Sequence, residues 1–423
     1  MDIIETRILK LLSEKPMAFE DLLNATWGIY PIELSNYLER LSVIHKVKKD
    51  NKNLWYIPGA KYERQSITKI KNQDRKVEEK IKKFIAELPN PHPHDYDWRF
   101  HIIGLKNIFE HIKQYHKPEE PICILAAPTL YVYLHEYGYF TKLSLVERSK
   151  NTVEAIKKIL GTTSGIQTHD IQRPWPQHLL GDFSCVVMDL PWYQDYYELF
   201  LSRAAKLTVM GGFIHAALFP LFTRKDAYRE RASIFSFAKH IGLSLVDLSN
   251  GLIHYETPTF ENISLDDREI HLPSNWRKGD MVTFYVGNRY DEMTTTSIDT
   301  GTWKEFITGK SKIKLRMSDI KRYEKPSVQN IEDGTPILSS VSRRYDKRDS
   351  VGLWTSHMQA FSIKGEHVVH ILLENLVVGH DYEHAVKEVS KEFDIDLSMV
   401  TRQCKDCYQQ LIEIIEREHE YAK

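Results

Sequence analysis

The sequence predicts an α/β protein whose central part is a doubly wound, largely parallel sheet, with a smaller module on either side. Two observations predict it. From residue 121 onward, short apolar runs alternate with helical stretches, and three of those runs end on an acid, at Glu147, Asp170 and Asp189. Runs that are apolar on both faces and separated by helices belong to parallel sheets covered on both sides. A doubly wound sheet binds its ligand at the carboxyl ends of its strands, so the three acids mark a candidate site.

The central elements follow in order. Ile122–Leu125, Leu143–Glu147, Ile166–Asp170, Phe183–Asp189 and Gly211–Leu218 read as strands. Leu130–Tyr137, Asn151–Leu160 and Tyr196–Thr208 read as helices between them. A helix over 228–242 and strands over 244–254 and 281–287 close the sheet. At the N-terminus, Ile3, Ile4, Ile8, Leu11 and Leu12 stand at helical spacing. A second helix surrounds Leu22 and Leu23, and a third runs over Pro31–Leu41 with proline in its first turn. Val43–Val47 and Leu54–Ile57, joined by KKDNKN, read as a hairpin. Three helices and a hairpin resemble a winged helix-turn-helix, which implies nucleic-acid contact or protein packing. Charge is balanced over residues 1–60, which does not favour the first.

The predicted domains are a winged helix at 1–60, a linker helix at 61–90, the Rossmann-like domain at 91–300, a basic linker at 301–358 and a helical domain at 359–423. The formal net charge of -1 excludes a chain coated in positive charge for nucleic acid. The first fifteen residues mix charge into their apolar positions, unlike a secretory signal, and no apolar run has the length of a membrane span. Four cysteines, Cys123, Cys185, Cys404 and Cys407, make no disulfide framework in 423 residues, so a cytoplasmic location is expected. The oligomeric state is left open. His92, His94 and His101 cluster before the central domain, but no second ligand cluster has the expected spacing, and Cys404 and Cys407 are a lone C-x-x-C; no metal is expected. Tyr96, Asp97, Trp98 and Arg99 read either as a lid over the site or as packing.

The acids have the order expected around a nucleoside cofactor. Glu147, after the second strand, can accept the ribose hydroxyls; Asp170, after the third, can accept the adenine amino group; Asp189, after the fourth, faces the reacting centre. The first turn, Ala126, Ala127, Pro128 and Thr129, replaces the usual glycines with small residues. ILAAPTLYVYLHE and the later Asp189-Leu190-Pro191-Trp192-Tyr193 resemble class I S-adenosylmethionine-dependent methyltransferases of the adenine-N6 and elongation-factor-lysine type, whose corresponding motif is Asp-Pro-Pro-aromatic. That resemblance implies S-adenosylmethionine as cofactor and a macromolecular amine, in nucleic acid or protein, as acceptor. It also implies that Asp189, Leu190, Pro191 and Trp192 hold the acceptor. Leu190 stands where the family has proline, yet Pro191 still keeps Leu190 extended.

VVMDLPWYQDYYELFLSRAAKLTVMGG and the later Trp276-Arg277-Lys278-Gly279-Asp280-Met281 are similar to branched-chain polyamine synthases, which carry an N-terminal winged helix and imply aminopropyl transfer. The AAPT loop has no acid for a cationic decarboxylated cofactor. A third reading is a non-catalytic adaptor with a degenerate cofactor fold. The bland readings of the same residues are a helix cap for Asp189, core packing for Trp192 and a surface acid for Glu147. Finally, HDYEHAVKEVSKEFDID, residues 380–396, resembles a PqqD-like domain. This implies peptide binding by strand addition, against a scaffolding role.

Overall fold

The computed structural model describes residues 3–26, 28–60, 75–266, 275–288, 298 and 301–421. The chain divides into two compact units. The first holds the chain up to Leu88, Arg99–Thr257 and the strand that follows Trp276. The second holds Pro89–Trp98, a short helix after Pro258, and the chain from Gly301 onward.

The first unit starts with α1 (Ile3–Glu14), α2 (Phe19–Ala25) and α3 (Pro31–Val43), then a hairpin of β1 (Lys48–Lys49) and β2 (Trp55–Tyr56). The helices close on one another through Ile4, Ile8, Leu12, Leu22, Leu23, Leu34, Leu38 and Leu41, all buried. The predicted strand at Val43–Val47 is not one. α3 continues to Val43, and His45 turns the chain with φ 58, leaving Val43 and Ile44 exposed. Of the apolar residues in that stretch only Val47 reaches the core. The connecting helix is α4 (Arg75–Glu87), and the predicted stretch 61–74 lies outside the described residues.

The central elements follow as α5 (Ile102–Lys113), β3 (Pro121–Leu125), α6 (Pro128–Tyr137), β4 (Lys142–Glu147), α7 (Lys150–Leu160), β5 (Ile166–Thr168), β6 (Phe183–Met188), α8 (Gln194–Leu207), β7 (Thr208–Leu218), α9 (Ala227–His240) and β8 (Leu243–His254). The second unit's helix α10 (Thr259–Asp266) intervenes before β9 (Lys278–Val286). Seven of these strands form one sheet in the order β5-β4-β3-β6-β7-β9-β8. All run parallel except β9, which is antiparallel to both neighbours. This is a Rossmann-like sheet. Its inner strands are nearly all apolar because helices cover both faces: β3 reads PICIL and β6 reads FSCVVM. Local signals start and stop the helices. Ser149 Oγ accepts the Thr152 amide 3.2 Å away to open α7, and Gly138 and Gly161, at φ 70 and 63, close α6 and α7. Among the described residues no helix is long and apolar enough to cross a membrane.

The second unit corrects the expected basic linker. β10 (Thr302–Thr308), β11 (Ser311–Met317), β12 (Ser327–Asn330), β13 (Leu353–Thr355) and β14 (Ala360–Lys364) form an antiparallel sheet in the order β10-β11-β13-β14-β12. Three helices, α11 (Glu366–Val378), α12 (Tyr382–Phe393) and α13 (Leu397–Tyr421), pack on it. Ile313, Leu315, Leu353 and Phe361 share a core with Val368, Leu372 and Leu411. The strands were hidden in the sequence because the alternate residues of β11 are lysines, yet Lys312 and Lys314 are buried. Asp95, far away in the chain, neutralises Lys314, and Glu305 lies 3.4 Å from the same ammonium. His92 is buried here too, with Nδ1 accepting the His94 amide at 3.1 Å and Nε2 on the Trp354 carbonyl at 3.0 Å. Both ring nitrogens are thereby committed to backbone. Trp98 of the segment Tyr96–Arg99 packs on Phe260 in this same unit, while Phe100 pairs with Tyr255 in the first.

One close approach fixes how α5 lies on the sheet. A Cβ on Gly104 would stand 2.4 Å from the His254 carbonyl oxygen and 2.8 Å from its nitrogen. Only glycine lets the helix backbone touch the β8 backbone. Gly104→Ala should therefore destabilise the protein by about 1–3 kcal/mol through overpacking. Denaturant unfolding checks this; an unchanged midpoint would mean that α5 can lift without cost.

Candidate cofactor and transfer site

The strand order reverses between β3 and β6, the place where a doubly wound sheet forms its binding crevice as the loops leaving the two strands diverge. Asp189 enters it directly after β6, its amide still bonded to the Leu125 carbonyl of β3 at 3.3 Å. On the β3 side the chain turns through Ala126, whose φ is 55. A non-glycine residue in the left-handed region is strained, by roughly 1–2 kcal/mol. This strain sits at the turn that in nucleotide-binding sheets carries glycine. The Ala126 amide binds the Val146 carbonyl at 3.0 Å, which ties the turn to β4. Ala127 is the cap residue of α6 and Pro128 its first residue. Thr129 is buried and continues the helix. The N-terminus of α6 thus faces the crevice with its positive dipole end.

Glu147 and Asp170 stand beside this turn, at the ends of β4 and just past β5. Glu147 Oε1 accepts the Ser149 amide at 2.8 Å, and Asp170 Oδ1 accepts the Gln172 amide at 3.0 Å. Both carboxylates are partly exposed. Each is oriented by the loop that follows its own strand, a local arrangement that sequence spacing alone can anticipate.

Asp189 is held differently. Its Oδ1 accepts the Leu190 amide at 3.1 Å and the Tyr255 hydroxyl at 2.9 Å. Tyr255 is buried, and burial together with the Asp189 charge pushes its phenol well above its ordinary range. Tyr255 therefore remains a proton donor to the carboxylate. Leu190 is buried and Pro191 half-buried. Trp192 was expected either to help hold an acceptor or to pack in the core. It is buried, set edge-on to Tyr255 at 5.8 Å, and its ring carries the Arg277 guanidinium 4.3 Å from the centroid. Its carbonyl accepts Arg224 Nη2 at 2.9 Å. Trp192 thus packs as a wall of the site.

Residues from the far side of the sheet complete that wall. A Cβ on Gly279 would come within 3.2 Å of the Tyr255 ring and 3.3 Å of the Trp192 ring. Next to it, Asp280 and Arg231 form a buried pair at 2.8 Å, and Asp280 also accepts the Gly251 amide at 2.8 Å. Burial pushes Asp280 up from the ordinary carboxylate range, against the pull of that amide and of Arg231. The W-x-x-G-D-M stretch therefore packs and braces. Sequence reasoning missed Tyr255, Arg224 and Arg277 as neighbours of the Asp189 turn. They lie 32 or more positions away, and only the sheet topology brings them there.

No family model and no curated protein matches the sequence. Among solved structures, the chain is similar to the branched-chain polyamine synthase of Thermus thermophilus in complex with N4-aminopropylspermidine and 5'-methylthioadenosine. The TM-score is 0.54 at 10% identity, covering 70% of this chain and 90% of that one. A C9 mutein of the same enzyme gives 0.54 and 10%, covering 70% and 89%. The likeness shows a shared fold. The central sheet runs only from Pro121 to Val286, so a match over 70% of the chain extends past it.

Tyr255→Phe deletes the donor to Asp189 and leaves the ring. A hydrogen bond to a charged group contributes about 1.5–3 kcal/mol, and denaturant unfolding of this variant should lose stability of that order. No loss would show that the hydroxyl does not hold the carboxylate.

Proposed function

We propose that this chain is an S-adenosylmethionine-dependent transferase that carries a methyl group to an amine nitrogen of a macromolecular substrate. One observation carries the reading. Three carboxylates, Glu147 and Asp170 after β4 and β5 on one side of β3 and Asp189 after β6 on the other, surround a strained, small-residue turn at the point of strand reversal. In this reading Ala126, Ala127, Pro128 and Thr129 let the cofactor approach the backbone, Glu147 accepts its ribose hydroxyls and Asp170 its adenine amino group. When bound, the cofactor supplies a sulfonium-activated methyl group.

Asp189 and the Leu190 carbonyl orient the amine N–H groups so that its lone pair meets the methyl carbon. This is mainly catalysis by positioning. Tyr255 fixes the Asp189 carboxylate, and Pro191 fixes the Leu190 carbonyl. The N-terminal helices and hairpin, read as a winged helix, and the second unit, read as PqqD-like, select the substrate. In the second unit β10 and β12 are the sheet edges to which a peptide strand could add.

A second reading, aminopropyl transfer to a polyamine, is favoured by the likeness to the polyamine synthase over most of that chain. The absence of an acid in Ala126–Thr129 argues for the intact cofactor. Product analysis separates the two: S-adenosylhomocysteine follows methyl transfer and methylthioadenosine follows aminopropyl transfer. Neither product would support the adaptor reading.

Two variants test the roles. Glu147→Ala should weaken cofactor binding by about 1.5–3 kcal/mol, and unchanged affinity by calorimetry rejects the ribose contact. Asp189→Ala should lower single-turnover transfer by about 10²–10³-fold, as loss of a preorganised polar contact does, with cofactor affinity little changed. Full transfer activity dismisses its catalytic role; loss of cofactor binding in a folded protein moves Asp189 into the cofactor site.

A further inference from the structure

A separate polar cluster lies within the otherwise apolar sheet core, away from the crevice. His215 stands on β7, in register with Val187 of β6 on one side and Thr283 of β9 on the other. Cys185, two residues before Val187, points to the same face of β6. His116 comes from the connection between α5 and β3. His116, Cys185 and His215 are all buried, and their donor atoms lie within 4.8 Å of one another. Tyr115 and Phe213 close around them, with ring centroids 5.2 Å from His215 and 5.6 Å from His116 respectively.

The orientation of the rings is specific. The two Nε2 atoms face each other at 3.1 Å. On the opposite side of each ring, Nδ1 is engaged elsewhere: His116 with Glu120 Oε2 at 3.0 Å, His215 with Thr283 Oγ1 at 3.0 Å. Two imidazoles oriented from behind by a carboxylate and a hydroxyl, with a thiol beside them, are the donor set and outer support of a metal site. We infer that His116, His215 and Cys185 bind a divalent transition-metal ion of the zinc class.

Tetrahedral bonds of about 2.0 Å to nitrogen and 2.3 Å to sulfur place nitrogen pairs roughly 3.3 Å apart and nitrogen–sulfur pairs roughly 3.5 Å apart. The nitrogens already meet this spacing, and a small side-chain adjustment brings in the sulfur. Charge also balances: a divalent ion, one thiolate and the Glu120 carboxylate sum to zero. Binding through Cys185 releases one proton: the S–H bond breaks and a metal–sulfur bond forms. The other titratable neighbours include His111, Tyr115, Cys123 on β3 and Asp247 on β8.

The competing arrangement is a hydrogen-bonded chain running from His111 through Thr283, His215 and His116 to Glu120, and it needs no cysteine. Cobalt(II) distinguishes the two. Full-length, tag-free protein is produced in medium supplemented with cobalt(II), and separately refolded with it, then desalted. About one cobalt per chain with a thiolate-to-cobalt charge-transfer band is expected. The band should vanish in Cys185→Ser and binding should be lost in His215→Gln. Glu120→Gln, which leaves all three ligands, should weaken affinity about 10–100-fold. Wild-type protein that retains no cobalt by either route overturns the site, as does equal retention by wild type, Cys185→Ser and His215→Gln. The wild-type spectrum decides the matter even where a variant does not fold.

Discussion

The backbone bond from the Asp189 amide to the Leu125 carbonyl, at the end of β3 and β6, is the interaction on which the site depends. It is the last rung of the ladder between the two strands where the connections diverge. One residue later on each strand the chains part, through Ala126 on one side and Leu190 on the other. Every candidate group is positioned relative to that fork. The helix α6 begins on one arm and the turn before α8 on the other. The crevice is therefore a consequence of topology: parallel strands joined through helices on opposite faces must separate somewhere, and the gap opens where they do.

Several buried polar groups within the first unit are kept where a partner is fixed by the elements around them. Asp280 and Arg231 neutralise each other and satisfy the Gly251 amide at the irregular stretch of β8. His215 and Thr283 are register partners on β7 and β9. Tyr197 donates to the Ala217 carbonyl and accepts the Phe219 amide, which ties α8 to the end of β7. In each case the cost of burying a polar group is offset by a hydrogen bond to a fixed partner. Asp189 is the exception in kind. Its Tyr255 partner arrives from the strand that leaves the sheet, so the carboxylate is braced from outside its own loop.

Local chemistry explains why so much of the central domain was legible. The apolar runs of β3 and β6 have no polar alternation because both faces are covered, and the helices between them carry ordinary starts and stops. The carboxylates Glu147 and Asp170 could be placed because each is held by an amide two residues further along. Where the reading failed, the missing information was distant. β10 and β11 looked like a basic linker because Lys312 and Lys314 alternate with Ile313 and Leu315, and nothing nearby shows that Asp95 neutralises them. Val43–Val47 looked like a strand because alternation carries no information about whether a core exists on one side.

The sequence by itself determined the alternation of strand and helix, the acids at the strand ends, the small-residue first turn and the helices of the second unit. These depend on residues within a few positions of one another, where periodicity, capping and backbone preference act. Tertiary structure alone decided that Trp192 is a packed wall beneath Arg277, that Tyr255 holds Asp189, and that His116, Cys185 and His215 converge. The physical reason is that strand order and register bring together groups separated by tens to hundreds of residues, and neither is written in any local pattern.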